Sequence, residues 1–198
     1  NISVKSNNNT IEVIFMSMES QIKLKKGERA PYFKLMGVDG KFYSKDDFKN
    51  KKALLIIFMC NHCPYVKAKI KLINELHANY SNKNVAVVGI SSNDAIQYPD
   101  DSFENMKLFA QEHNIEYPYL YDETQEVAQK YGAQCTPDPF LFDENFELAY
   151  HGRLNDAMSP EAKATSNDMK SAIESVLRKK KPETFFVPSI GCGIKWKK

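Results

Sequence analysis

Residues 53–64 read Ala-Leu-Leu-Ile-Ile-Phe-Met-Cys-Asn-His-Cys-Pro. From Ala53 to Met59 the run is apolar without a break. Such a run suits a strand buried on both faces, as in a parallel sheet covered by helices. Beyond Pro64 the period changes. Val66, Ile70, Ile73 and His77 fall on one helical face, joined by Leu72, Leu76 and Tyr80, and Lys67, Lys69 and Lys71 fill much of the rest. Pro64 suits the first helical turn, where a missing N–H costs little. The cysteine pair Cys60-x-x-Cys63 therefore falls where a buried strand turns into a helix.

Working outward, the same alternation continues. Residues 32–36 and 41–44 flank Asp39-Gly40, a hairpin turn pair. Residues 85–90 form a second buried strand. Residues 102–113 read as a helix with Phe103, Met106, Phe109 and Ala110 on its apolar stripe, and 117–121 as a short strand. Residues 124–131 form a short helix stopped by Gly132. Residues 140–142 and 146–150 make a second hairpin, and 168–177 a last helix, with Pro182 beyond it. Strands alternating with helices, then a hairpin and a helix, define an α/β sandwich with a central mixed sheet. The expected organisation is one domain over 21–181. Residues 1–20 read as an N-terminal extension (a tag, a leader remnant or disordered), and 182–198 as a tail packed on the domain by Phe185, Phe186 and Trp196.

Composition narrows the function. The 198 residues are 42% hydrophobic and 12% aromatic, enough for a sizeable core. Lys plus Arg number 27 against 25 acids, a net charge of +2, which makes no case for nucleic acid. No apolar run approaches the length of a membrane span. Four cysteines are too few for a disulfide-stapled secreted mini-domain. With no export signal evident, a cytoplasmic location is expected.

Two thiols separated by two residues at a helix start can close a small disulfide ring. Unpaired N–H groups and the macrodipole favour a thiolate there, and a protonated His62 favours it further. Cys60, read as lying at the helix N-terminus, is the expected nucleophile. Cys63, read as further into the helix and less exposed, is the expected resolving thiol. A zinc site would need the isolated Cys135 and Cys192 as well, whereas structural zinc usually draws on a second tight pair. Haem attachment needs histidine at position 64, which is proline. No metal and no cofactor are expected.

Strand, CxxC, proline and helix together resemble the thioredoxin-fold oxidoreductases. The opening Gly27-x-x-Ala30-Pro31-x-Phe33-x-Leu35-x-x-x-Asp39-Gly40 resembles the peroxiredoxin and alkyl-hydroperoxide-reductase branch of that superfamily. CNHCPYVKA (60–68), GISSND (89–94), YPDDSFENMK (98–107), YGAQCTPDPFLFD (131–143) and PSIGCGIKW (188–196) resemble its peroxiredoxin-like thioredoxin family proteins. The resemblance implies a thioredoxin-like fold and thiol–disulfide exchange. It implies a cis peptide bond at Thr136-Pro137, which would lie against the CxxC and offer backbone groups to an extended substrate. It also implies a disulfide-bearing protein or small-thiol substrate and a dithiol electron donor.

The chain departs from its relatives at two points. A peroxiredoxin would have proline and threonine where this chain has Ile56 and Cys60, if Cys63 were peroxidatic. That weighs against thiol peroxidase activity, which stands as the alternative, with a redox-sensing or zinc-holding module as the other. A thioredoxin would bury an acid where Leu54 stands, so the proton acceptor for Cys63 has no assignment. Cys135, two residues before Pro137, and Cys192, between two glycines, are accessory-thiol candidates against a reading as packing residues. Asn93 and Asp94 read as a cap of the following helix. The +6 segment from Arg178 to Lys198 reads as a solvated helix end and tail.

Overall fold

A computed structural model describes residues 2–7, 10–15 and 17–198. Its strands are β1 (Ile2–Asn7), β2 (Thr10–Phe15), β3 (Ser17–Glu19), β4 (Lys34–Gly37), β5 (Phe42–Ser44), β6 (Ala53–Phe58), β7 (Val85–Ser91), β8 (Tyr119–Tyr121), β9 (Cys135–Thr136), β10 (Asp138–Asp143), β11 (Leu148–Gly152), β12 (Phe186–Val187) and β13 (Ile190–Gly193). The α-helices are α1 (Pro64–Tyr80), α2 (Phe103–Glu112), α3 (Glu126–Tyr131) and α4 (Asp168–Leu177).

The main sheet is mixed, in the order β12-β11-β10-β6-β7-β8-β4-β5. β6 runs parallel to β7 in step from Ala53↔Val85 to Phe58↔Ile90, and antiparallel to β10 from Ala53↔Asp143 to Phe58↔Asp138. The apolar run of β6 now has its reason. Leu55 and Ile57 pack with α1, α2 and α4 on one side, and Leu54, Ile56 and Phe58 pack with α3 and the first hairpin on the other. Both faces are covered, so neither can carry polar residues.

Two expected elements come out shorter. The strand at 117–121 pairs only over Tyr119–Tyr121, because Pro118 has no N–H for the ladder and only its carbonyl bonds, to Gly89 N–H at 2.9 Å. The helix at 124–131 starts at Glu126, after Gln125 turns the chain at φ +65°, and stops at Gly132, φ +72°. Helix α4 spans the expected residues.

The chain ends are tied together. β13 lies between β3 and β9 in a separate three-stranded sheet, pairing Cys192 with Ser17 on one side and with Thr136 on the other. Residues 17–19, placed in the extension by the sequence, are thus paired with the tail, and both meet the cysteine site. The side chains of residues 2–15, and with them the expected character of the extension, lie outside the described features; β1 and β2 pair antiparallel as a backbone hairpin.

Candidate active site

Strand β6 delivers the chain to Cys60, a short irregular turn carries Asn61 and His62, and Cys63 caps α1 with Pro64 as its first residue. This corrects one expectation. The residue at the helix N-terminus is Cys63, not Cys60, because Pro64 starts the helix and leaves the residue before it extended (φ −69°, ψ 120°). Cys60 and Cys63 are both buried, at 1% and 0% accessible, so exposure does not separate them.

Three of the four cysteines meet. Cys63 Sγ is 2.9 Å from Cys192 Sγ and 3.1 Å from the Thr136 carbonyl oxygen, and Cys60 Sγ is 3.4 Å from Thr136 Oγ1. The Thr136–Pro137 peptide is cis and lies against the pair. Cys135 is held away from them. Its Sγ lies 3.9 Å from the carbonyl oxygens of Pro137 and Ser189, and burial pushes its thiol up, aided by Asp138.

Within the cluster, Cys63 is the thiol whose ionisation is favoured. Burial pushes Cys63 up, but hydrogen bonds from Cys192, Cys60 and Thr136 and from the Val66 N–H outweigh it and hold the thiol far below its ordinary value. The Thr136 carbonyl opposes this together with burial, since a thiol donates to it and a thiolate avoids it. The neighbouring donors and the positive end of α1 prevail. Burial raises Cys60, and its contact with Cys63 and the charge of Asp101 raise it further. Contact with Cys63 and then burial raise Cys192. The N–H of Val66 reaches Cys63 and lowers it, whereas Cys60, where the sequence reading placed the thiolate, is raised.

Asp101 was invisible as a site residue in the sequence, although it lies inside the quoted stretch YPDDSFENMK. It is fully buried. Its Oδ1 accepts from the N–H groups of Asn61 (2.8 Å) and His62 (3.3 Å), and its Oδ2 from Asn93 Nδ2 (2.7 Å). His62 Nδ1 is 2.6 Å from Oδ2, and this bond raises His62, against its burial. His62 also stacks on Tyr98, ring centroids 5.7 Å apart. Asn61 is held in addition by Tyr119, whose hydroxyl donates to Asn61 Oδ1 at 2.9 Å. Asn93 does not cap a helix. It bridges Asp101 to the tail, with its Oδ1 accepting from Lys195 N–H at 2.9 Å. Asp94 accepts from the N–H of Ile96 at 3.0 Å and closes a turn.

Among the described residues, one grouping has donors close enough to hold a metal ion: Cys60, His62 and Asp101. The four cysteines do not form such a group, which removes the geometry of a four-sulfur zinc site. Both oxygens of Asp101 are already engaged by protein donors.

An α/β sheet flanked by helices, a CxxC pair at the start of a helix and a cis-proline segment against it define a thioredoxin-like protein. The chain belongs to the Redoxin family, whose model matches residues 25–173. It superposes on an uncharacterized conserved protein from Geobacillus kaustophilus with a TM-score of 0.87 and 42% identity, covering 91% of this chain and 96% of that one. The thioredoxin domain of a thiol-disulfide oxidoreductase from Bacteroides vulgatus shares the fold, with a TM-score of 0.57 and 19% identity over 65% of this chain and 89% of that one. Thiol-disulfide oxidoreductase ResA of Bacillus thuringiensis is 25% identical over 123 residues, 62% of this chain and 66% of that protein. "Putative peroxiredoxin bcp" of Helicobacter pylori J99 is 32% identical over 111 residues, 56% of this chain and 68% of that protein. The chain thus spans about two thirds of the length of these relatives.

Proposed function

We propose that the protein is a thiol–disulfide oxidoreductase in which Cys60 and Cys63 cycle between dithiol and disulfide by exchange with a partner disulfide. The observation that carries the reading is the placement of Cys63 at the start of α1, with Cys60 in the preceding turn, where the helix end favours a thiolate. A thiolate attacks a disulfide; a thiol does not. Cys63 therefore makes the mixed disulfide and Cys60 resolves it, the reverse of the order the sequence suggested. The residues of Thr136–Pro137 orient the partner chain, and His62, held by Asp101, favours the charge on Cys63. A dithiol donor reduces the pair again. Partners are disulfide-bearing proteins or small thiols. The names of the relatives over the matched stretch support this chemistry.

The direction of exchange depends on the potential of the pair relative to its surroundings. The proposal places it in the cytoplasm, as a reductant. None of the described helices is long and apolar enough to cross a membrane.

A second reading has the same observation in its favour. A thiolate at Cys63 can attack a hydroperoxide, giving a sulfenic acid and releasing water or an alcohol, and a neighbouring thiol then condenses with it. Against it stand Ile56 and Cys60, in the places of the peroxiredoxin proline and threonine.

The test is a glutathione redox titration with alkylation and peptide mass spectrometry, alongside rates of reduction of a model protein disulfide. A reversible Cys60–Cys63 disulfide is expected, with activity lost in Cys63→Ser and Cys60→Ser. A potential near about −270 mV would mark a reductant and one near about −120 mV an oxidant. Unchanged activity in both variants overturns the proposal. Hydroperoxide consumption faster than disulfide exchange favours the peroxidase.

A further inference from the structure

We infer that Cys192 is a third redox thiol of this site, carried on a C-terminal strand that occupies the place where a substrate strand would add. The inference rests on the exchange chemistry proposed above and names an internal partner for Cys63.

The placement is specific. β13 runs antiparallel on β9, with Cys192 opposite Thr136 and Gly193 opposite Cys135. This is the backbone edge beside Pro137, the kind of edge to which extended ligands add by main-chain hydrogen bonds. Cys192 Sγ stands 2.9 Å from Cys63 Sγ. The sulfurs need to close by under about 1 Å to reach a disulfide length. Gly191 makes the approach possible, because a Cβ there would lie 2.0 Å from the Thr136 carbonyl oxygen.

The segment is held from several sides. Ser20 N–H donates to the Ser189 carbonyl at 3.0 Å, and Ser189 N–H to Ser20 Oγ at 2.9 Å. Ile194 N–H donates to the Gln134 carbonyl at 3.1 Å, and Asp94 N–H to the Lys195 carbonyl at 2.8 Å. Lys195 N–H reaches Asn93, which also holds Asp101. The tail is thus built into the polar network that shapes the CxxC turn.

The step conserves electrons. In the Cys60–Cys63 disulfide, Cys192 loses its proton and attacks the Cys63 sulfur. The Cys63–Cys192 bond forms as the Cys60–Cys63 bond breaks, and Cys60 leaves as a thiolate that takes up a proton. One thiol and one disulfide become one thiol and one disulfide, and no outside oxidant is needed. Contact with Cys63 is the first cause that raises Cys192, ahead of burial, and that part is relieved once Cys63 is in a disulfide. The same strand keeps external disulfides off Cys63 until it is displaced.

The experiment uses the full chain as Cys60→Ser, treated with oxidised glutathione, quenched in acid, alkylated and mapped by peptide mass spectrometry. Glutathione enters at Cys63, and Cys192 is expected to displace it, leaving a Cys63–Cys192 disulfide. In Cys60→Ser/Cys192→Ser the Cys63–glutathione adduct should persist. In Cys60→Ser/Gly191→Ala all remaining thiols are kept but the close approach is not, and the adduct should persist at least about ten times longer, a barrier difference of ~1.4 kcal/mol. A lasting Cys63–glutathione adduct in Cys60→Ser, with Cys192 free to alkylation, overturns the inference while leaving the exchange reading intact. Failure of Cys63 to take up glutathione in any form overturns both. The wild-type chain gives a readout independent of variant folding: its oxidised form should yield Cys63–Cys192 peptides beside Cys60–Cys63 peptides, and their absence at every poise counts against the inference.

Discussion

Replacing Asp101 by asparagine tests whether a buried carboxylate holds the CxxC turn. In the native site its two oxygens receive four donors, from Asn61 N, His62 N, His62 Nδ1 and Asn93 Nδ2. An asparagine has one oxygen and one NH2. If the oxygen keeps the backbone donors, the NH2 faces Asn93 Nδ2, donor against donor. Asn93 cannot flip freely, because its oxygen is engaged by Lys195 N–H. One buried donor is therefore left unsatisfied, at about 1–3 kcal/mol, and the charged bond to His62 is lost as well. Removing one partner of a buried pair costs ~3–5 kcal/mol, and the expected loss lies in that range.

The pH dependence of that loss has a definite sign. His62 is raised above its ordinary value of 6.5 by Asp101, so its contribution is complete below 6.5 and is lost as pH rises through the raised native value. Cys60 is raised too, in part by Asp101, so at high pH the carboxylate works against folding. Both effects make the deficit of Asp101→Asn largest in mild acid and smaller in base. The assay is denaturant unfolding at about pH 6 and about pH 9, with the His62 ring followed by NMR. A deficit below about 1 kcal/mol, or one that grows with pH, refutes the reasoning.

Three further outcomes are expected. The reduced protein should keep the ultraviolet absorbance of one thiolate well below pH ~8.5, and Cys63→Ser should remove it while Cys60→Ser should not. Because the Cys63 value is depressed in the native state, its stabilising contribution is complete above the ordinary thiol value of 9.0 and declines as pH falls toward the native value. Asp138 and His151 are a fully buried pair at 2.8 Å, and Asp138 also accepts from Gln134 N–H at 3.1 Å. Asp138→Ala should cost ~3–5 kcal/mol in denaturant unfolding and slow disulfide exchange by loosening the segment around Thr136. Phe58, fully buried against Tyr131 and Phe140, should cost ~3–5 kcal/mol when cut to alanine, with little change in the thiolate absorbance.

Much of this fold was legible because its signals are local. The β6 run is apolar throughout, α4 is bounded by the polar Asn167 and the lysines after Leu177, and Gly132 marks the end of α3. The cysteine pair is local too, so the chemistry could be read. What the sequence hid is set by contacts distant along the chain. Asp101 is forty residues from the turn it holds, and nothing in YPDD distinguishes one aspartate from its neighbour. Which thiol carries the charge turned on where α1 begins, a boundary one residue either side of Pro64. The meeting of Cys192 with Cys63 spans 129 positions and depends on β13 crossing back onto β9.

The burial of the site bears on how exchange would proceed. Cys60, Cys63 and Cys192 are each at most 2% accessible, so no external disulfide reaches Cys63 in line while β13 is docked. Access then requires the C-terminal strand to lift from β9, and the observed rate is the rate of the open form multiplied by its population. Each ~1.4 kcal/mol spent on opening lowers that rate tenfold. Docking is held by a short backbone ladder and by hydrogen bonds that Ser20, Asn93 and Gln134 accept from the tail, which gives an opening cost well below that of global unfolding. Substrates that bind the β9 edge as a strand compensate for that cost by replacing the bonds β13 gives up. Small disulfides cannot do so. The protein should therefore prefer extended polypeptide disulfides to glutathione, and Gly191→Ala, by raising the population of the open form, should speed exchange with both. A Gly191→Ala chain that exchanges with glutathione no faster than the wild type would show that β13 does not govern access.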